Sequence, residues 1–166
     1  MAIVVENGTG VAGANSYAGL ADIRAYALAR GVTLSAVDAT LESMVIKAMD
    51  FLESYRNRFT GYRVDRGQSL SWPRNYAYVD GYEYPSTTLP QLLLDAEGAL
   101  VMEVNAGNDP FNPPLGSLPV IRERVEGAVE VEYSDPQGQY LAATARPAVR
   151  LINQLLVSGG LFAVRA

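Results

Sequence analysis

The sequence contains no histidine and no cysteine. Without imidazole or thiol groups, the chain cannot form a Ser-His-Asp or Cys-His catalytic set, a disulfide, a cysteine or histidine zinc site, or a histidine pH switch. Lysine is nearly absent too, since Lys47 is the only one. Any chemistry would depend on carboxylate, tyrosine, serine or arginine side chains. We therefore expect that this protein is not an enzyme and uses no metal or cofactor.

Long apolar runs are also missing. No stretch approaches the roughly 18 to 20 apolar residues that a membrane-spanning helix needs. The first residues lack a basic region, and the apolar run at residues 2–5 is too short for a secretory signal peptide. We therefore expect a protein that is made in the cytoplasm and has no membrane partner.

The composition is that of a globular chain with little positive charge. Its 166 residues suit one domain, and 49% hydrophobic residues provide enough material for a core. The formal net charge is −5, which argues against a protein that coats nucleic acid. Any phosphate contact would have to come from a local basic patch.

Hydrophobic periodicity predicts helices in four parts of the chain. One runs from about Leu20 to Arg30, and the next begins near Asp38 or Ser35, which could cap it. A third helix begins near Thr88 with Pro90 in its first turn, and the last follows Pro147. In the second helix, apolar residues recur at steps of four and three, namely Leu41, Val45, Ala48, Leu52 and Tyr55.

The remaining segments predict a hairpin and two long loops. Residues 56–90 contain Pro73 and Pro85 and are expected to form a long structured connection, and residues 105–119 a loop. Residues 120–125 and 128–133 read as a β-hairpin with arginines on one strand opposite glutamates on the other. Gly98, inside the third helix, could mark a close helix crossing. The predicted fold is mainly α: a bundle of three or four helices with one β-hairpin and long loops, α+β only in a loose sense.

We expect one helical domain at residues 1–158 with the hairpin near 120–133. The last residues, 159–166, form a short apolar C-terminal tail that could dock on a neighbour.

A glycine motif near the N-terminus spells G-x-G-x-x-G from Gly8 to Gly13, after a short apolar run. The pattern is a loose copy of the dinucleotide-binding fingerprint. In that fingerprint a helix begins within the glycines. Here Asn15 and Ser16, which favour turns and helix caps, indicate that the helix begins only after them. No alternation of strands and helices follows either. The motif therefore favours a glycine loop over a nucleotide site.

The most distinctive feature is an arginine–aromatic segment, residues 55–84, in an acidic chain. Its five arginines up to Arg74 are opposed there only by Asp65, and they alternate with Tyr, Phe and Trp. This composition is typical of protein interfaces, of structural packing, and of single-strand binding in which rings stack on bases. The first of these is the main interpretation.

The candidate interface residues combine this segment with the hairpin and the tail. They are Arg56, Arg58, Tyr62, Arg63, Arg66, Trp72, Arg74, Arg122, Arg124, Leu161 and Phe162. Under the nucleic-acid interpretation the candidates narrow to Arg63, Arg66, Trp72 and Arg74. Carboxylate pairs such as Asp50 with Glu53 read as solvated faces and not as acid–base pairs.

Three segments, taken in order, resemble a known family. They are Glu6-Asn-Gly-Thr-Gly followed by Ala14-Asn-Ser-Tyr, then Gly61-Tyr-Arg through Gln68-Ser-Leu-Ser-Trp-Pro-Arg, and finally Val125-Glu-Gly-Ala-Val-Glu-Val-Glu-Tyr. In this order the sequence resembles small tailed-bacteriophage proteins that act as head–tail connectors (adaptor or head-completion proteins) and are often labelled DnaT-like single-stranded-DNA-binding. The resemblance covers most of residues 1–135.

This resemblance implies a structural protein of the virion neck. Copies would form a ring, a dodecamer in this family, that joins the portal protein to a tail or tail-terminator protein and lines the channel for genomic DNA. An acidic subunit suits such a channel, because phosphates do not adhere to a negative wall. The alternative is a single-stranded-DNA-binding accessory protein of phage replication.

Overall fold

The computed structural model describes residues 2–112, 120–125, 129–133 and 146–157. Four helices lie in these ranges: α1 (Leu20–Leu28), α2 (Asp38–Glu53), α3 (Gln91–Asn105) and α4 (Pro147–Asn153). The predicted fold class is confirmed, with helices predominating. None of the helices in the described ranges is long and apolar enough to cross a membrane.

In the part of the chain that the structure describes, six short strands pair as three two-stranded antiparallel sheets. The pairs are β1 (Tyr62–Arg63) with β2 (Arg74–Asn75), β3 (Ala77–Val79) with β4 (Tyr82–Tyr84), and β5 (Val120–Val125) with β6 (Val129–Tyr133). The third pair is the predicted hairpin. Its register places Arg122 opposite Glu132 and Arg124 opposite Glu130, as expected from the sequence.

Helix α3 lies at the centre and packs against the other three helices. Its residues Leu93, Ala96 and Leu100 are fully buried. Gly98 lies where α3 meets α1, and a Cβ added there would stand 2.5 Å from a ring carbon of Tyr26. The predicted close crossing at this glycine is therefore confirmed.

The predicted apolar seam of α2 is also confirmed, because Leu41, Val45, Ala48 and Leu52 are all completely buried. The start of the helix differs from the prediction. Neither Asp38 nor Ser35 is its cap: the N-cap is Val37, and no side chain caps the helix there. The Asp38 carboxylate instead accepts a hydrogen bond from Arg24 at 2.7 Å.

The long connection contains the first two of these small sheets, which the sequence did not predict. Gly61, just before β1, has a positive φ of 69°, and a Cβ there would lie 2.3 Å from the Asn75 carbonyl oxygen. Only glycine permits this approach of the two backbones. The connection, which runs from the last residue of α2 to the first residue of α3, thereby folds back on itself.

A buried polar network ties the N-terminal segment to α2, α3 and the connection. At its first node, the Glu53 carboxylate at the end of α2 accepts hydrogen bonds from the Tyr17 hydroxyl at 2.6 Å and from the Ser71 hydroxyl at 2.6 Å. The Ser71 N–H and the Arg56 guanidinium donate to it as well. The Tyr17 hydroxyl in turn accepts the N–H of Trp72 at 3.1 Å.

At the second node, the Glu97 carboxyl on α3 is completely buried. It accepts the Tyr17 N–H at 3.1 Å and lies 2.5 Å from the Ser16 hydroxyl, which is also 2.7 Å from the Ala18 carbonyl. One hydroxyl proton cannot serve both acceptors. A protonated Glu97 resolves this, because it can donate to Ser16 while Ser16 donates to Ala18. Burial accordingly raises the pKa of Glu97 from 4.5 to about 7.

We predict that stability falls as pH rises from about 4.5 to 7, because the folded state binds the Glu97 proton more tightly than the unfolded state does. The shift corresponds to a loss of about 3 kcal/mol of unfolding free energy. In Glu97→Gln a neutral amide replaces the protonated carboxyl, so we expect no such loss of stability. Urea unfolding at several pH values measures the unfolding free energy of both proteins.

The matched control for this prediction is Asp50→Asn, which removes a carboxylate from an exposed position on α2. Between pH 4.5 and 7, the unfolding free energy of Glu97→Gln minus that of the wild type should increase. The unfolding free energy of Asp50→Asn minus that of the wild type should stay nearly constant. Parallel pH profiles for the wild type and Glu97→Gln would contradict the prediction.

Candidate functional site

The glycine loop at Gly8–Gly13 surrounds a carboxylate of its own chain. Glu6, which is 1% exposed, accepts the N–H groups of Gly8 and Gly10 at 2.9 Å and of Val11 at 2.8 Å. These are the backbone donors that a dinucleotide pyrophosphate would require. The loop therefore binds its own anion, which agrees with the sequence argument against a nucleotide site.

Two of the four nucleic-acid candidates belong to the core, and for them that interpretation is wrong. Trp72 is completely buried and packs edge-on against Phe59 and Tyr84. Arg74 is 6% exposed, and its guanidinium donates to the carbonyl oxygens of Thr60 and Gly61, both at 2.7 Å, and of Ser71. Burial lowers the pKa of Arg74. Neither side chain can reach a base, a phosphate or another protein. Trp72 and Arg74 therefore cannot belong to the predicted protein interface either.

Two further arginines of the segment hold backbone or carboxylate groups of this chain. Arg56 forms an ion pair with Glu53 at 2.9 Å and donates to the Ser69 carbonyl. Arg63 donates through one nitrogen to the Gln68 carbonyl at 3.1 Å and is half-buried. Arg58 and Arg66 are exposed. The sequence thus located a guanidinium-rich segment correctly but could not separate structural arginines from available ones.

The remaining interface candidates lie on the β5 strand and in the C-terminal tail. Arg122 and Arg124 are placed only by the backbone register of β5 and β6. Leu161, Phe162 and the rest of the predicted tail lie outside the described residues. Their proposed contacts remain predictions.

The surface of the connection carries four exposed tyrosines, which we call the tyrosine surface: Tyr62, Tyr76, Tyr78 and Tyr82. Two of them form a pair, since the ring centroids of Tyr62 and Tyr76 are 5.4 Å apart at an interplanar angle of 42°. The two side chains are 56% and 60% exposed. Large aromatic faces therefore stand open to solvent at the β1–β2 sheet.

Tyr76 occupies an unfavourable backbone conformation. Its φ is +50°, in the left-handed region that bulky residues avoid. A strained backbone of this kind persists where the surrounding structure enforces it, and such residues cluster at functional sites. Here the enforced conformation turns the ring outward beside Tyr62. Tyr76 falls within the arginine–aromatic segment, but nothing in the sequence distinguishes it from the other tyrosines there.

An open pocket of about 520 Å³ adjoins this pair. Its walls include Tyr76, Tyr84 and Pro85, and its polar lining residues are Asn75, Glu83, Ser86 and Thr87. The Tyr84 wall is fixed, because its hydroxyl donates to the Leu89 carbonyl at 3.1 Å and its ring packs on Trp72. The pocket thus combines aromatic and polar lining residues at an open surface.

This arrangement can bind planar groups by stacking, with Arg63 and Arg66 close by in sequence for an anion. In the described part of the chain, no cluster of three or more carboxylates is placed to hold a metal ion.

Neither the curated proteins nor the solved structures contain a significant match to this chain. A protein-family model described as "Putative DnaT-like ssDNA binding protein" matches residues 1–166. Because this match spans the whole sequence, the chain belongs to the DnaT-like family.

Proposed function

We propose that this protein binds single-stranded DNA and that the Tyr62–Tyr76 pair is its stacking platform. The observation that carries the proposal is this pair of exposed rings, whose centroids lie 5.4 Å apart, with Tyr76 in a left-handed backbone conformation. Unpaired bases stack on such rings whatever their sequence. The description of the family supports the same function.

The electrostatics point to modest, salt-sensitive binding. Arg63 directly follows Tyr62 on β1, and the exposed Arg66 follows three residues later. The exposed guanidinium of Arg66 can contact a phosphate next to a stacked base. The whole chain carries −5, so attraction is confined to this local patch.

We expect Tyr62→Ala and Tyr76→Ala each to weaken binding of a labelled oligonucleotide at least about fivefold, since one base loses its stacking partner. Fluorescence anisotropy measures the dissociation constant. The matched control is Tyr82→Ala, which removes a 79% exposed tyrosine at the start of β4, outside the pair. If all three variants and the wild type have the same dissociation constant, the Tyr62–Tyr76 pair is not the stacking platform.

A salt titration tests the phosphate contact of Arg66. We expect Arg66→Ala to reduce the slope of log K against log salt by about 0.7, because one phosphate contact to a single strand is lost. Arg150→Ala, an exposed arginine on α4, is the control and should leave the slope unchanged. An unchanged slope in Arg66→Ala would exclude this contact.

A second candidate function is that of a phage head–tail connector in the virion neck. The observation that favours it is the burial of Arg74, which removes one guanidinium group from the surface of an acidic chain. Exposed tyrosines suit protein interfaces as well as bases. In this role copies assemble into a ring between the portal and a tail protein, and DNA passes through the channel transiently. We propose a non-catalytic function in either case.

The connector role predicts rings of the purified protein, alone or with portal, in electron micrographs and a matching oligomer mass by light scattering. Tyr76→Ala should then impair assembly and not DNA binding. If the protein is strictly monomeric, binds oligonucleotides and does not bind the portal protein, the connector function is excluded. Rings without detectable oligonucleotide binding would instead exclude the first proposal.

A further inference from the structure

We propose that Asp65 and Gln68 are positioning residues that prepare the Arg66 guanidinium for a phosphate of the bound strand. The turn that carries Arg66, residues 64–67, is called the arginine turn here. This inference rests on the proposed single-stranded DNA binding. It adds the residues that order the phosphate contact before any DNA is bound.

The arginine turn continues directly from the strand that presents Tyr62. Tyr62 pairs with Asn75 in the β1–β2 sheet, and two residues further on the Val64 N–H donates to the Pro73 carbonyl at 3.4 Å. Tyr62 and Val64 are both exposed. The Cα atoms of Tyr62 and Arg66 lie at most about 14 Å apart, since an extended residue spans no more than about 3.6 Å. The turn and the stacking ring therefore belong to one local surface.

Gln68 fixes the arginine turn from inside the protein. This residue is 5% exposed. Its Oε1 atom accepts the Asp65 N–H at 3.0 Å, and its Nε2 group donates to the carbonyl oxygens of Leu70 at 2.9 Å and Pro73 at 3.0 Å. One buried amide thus satisfies three backbone groups. Because these groups lie before and after Arg66 in the chain, the base of the turn is held in one geometry.

Asp65 fixes the same turn at its exposed side. Its Oδ1 atom accepts the Gly67 N–H, a local bond that aspartate commonly makes in turns. The Arg66 side chain between them is exposed. Among the residues that the structure describes, its guanidinium has no hydrogen-bond or ion-pair partner. The protein therefore orders the backbone on both sides of an arginine whose own charge it does not use.

An ordered turn strengthens a phosphate contact because less conformational freedom is lost when the strand binds. Arginine also gains from correct placement, since its planar fork pairs with a phosphate through two parallel hydrogen bonds. The Asp65 carboxylate has a second and opposite effect, because its negative charge repels phosphates. A test of the positioning role must therefore keep the charge at position 65 constant.

The decisive comparison is Asp65→Asn against Asp65→Ala in the full chain, with a labelled dT oligonucleotide and fluorescence anisotropy. Both variants remove the same charge at an exposed position, but only asparagine keeps an acceptor oxygen for the Gly67 N–H. We expect Asp65→Asn to bind about threefold more tightly than Asp65→Ala, because its turn stays ordered. This difference should vanish when both variants also carry Arg66→Ala.

The matched control is the same pair of substitutions at Asp50, an exposed carboxylate on α2. Asp50→Asn and Asp50→Ala should bind the oligonucleotide equally. If they differ as the Asp65 variants do, the Asp65 difference does not report on the arginine turn and the positioning role is rejected.

Gln68→Met tests the buried amide, because methionine fills similar space and makes none of the three hydrogen bonds. We expect about threefold weaker binding in the wild-type background and no further loss in the Arg66→Ala background. Damage to the stacking platform would weaken binding in both backgrounds. Thermal melting shows whether the variant is folded, and the Asp65 pair decides the proposal if it is not.

The outcomes distinguish this inference from the proposed function. Equal binding by Asp65→Asn and Asp65→Ala, or a difference that survives in Arg66→Ala, overturns the positioning role and leaves stacking on the tyrosine pair intact. A loss in Gln68→Met that persists without Arg66 overturns the role of Gln68. If Arg66→Ala binds like the wild type, the phosphate contact fails while stacking stands. If no strand binds at all, the proposed function and this inference fail together.

Discussion

The fold depends on the carboxylate of Glu53, at the end of the longest described helix. Its two oxygens accept hydrogen bonds from the Tyr17 hydroxyl, from the Ser71 hydroxyl and N–H, and from Arg56. Tyr17 and Ser71, which are distant from Glu53 in sequence, are thereby fixed to one group. Charged acceptors of this kind form stronger hydrogen bonds than neutral ones, and a buried donor left without its partner is costly.

The same network determines which side of the arginine–aromatic segment faces water. Tyr17 and Ser71 hold Trp72 inside, and Arg74 satisfies four carbonyl oxygens around it. With these groups directed inward, the rings of Tyr62 and Tyr76 remain on the outer side of β1 and β2. The exposure of the tyrosine surface is therefore a consequence of how the connection is anchored. A weakened anchor would be expected to disturb the surface even without a change in the surface residues.

The segments by which the sequence resembles a family turn out to be largely structural. Glu6 organises the glycine loop, Tyr17 joins the polar network, and Trp72 and Arg74 lie in the core. A motif of this kind identifies the fold of the family more directly than its ligand. This explains why one chain supports two functional proposals, DNA binding and assembly into a neck, whose surfaces share the exposed tyrosines.

The sequence alone determined the helices, because burial of an apolar stripe at helical spacing is a local and repeated signal, as in Leu41 to Leu52. It also indicated that the arginines of one hairpin strand face the glutamates of the other and that Gly98 marks a close helix crossing, and the structure supplied the register and the contact. Only the tertiary structure decided which arginines and rings are available. Trp72 and Tyr76 are four residues apart and both aromatic, yet one is completely buried and the other 60% exposed. Their separation depends on partners far away in sequence, chiefly Tyr17 and Glu53, and on a backbone strain at Tyr76 that no residue pattern reveals.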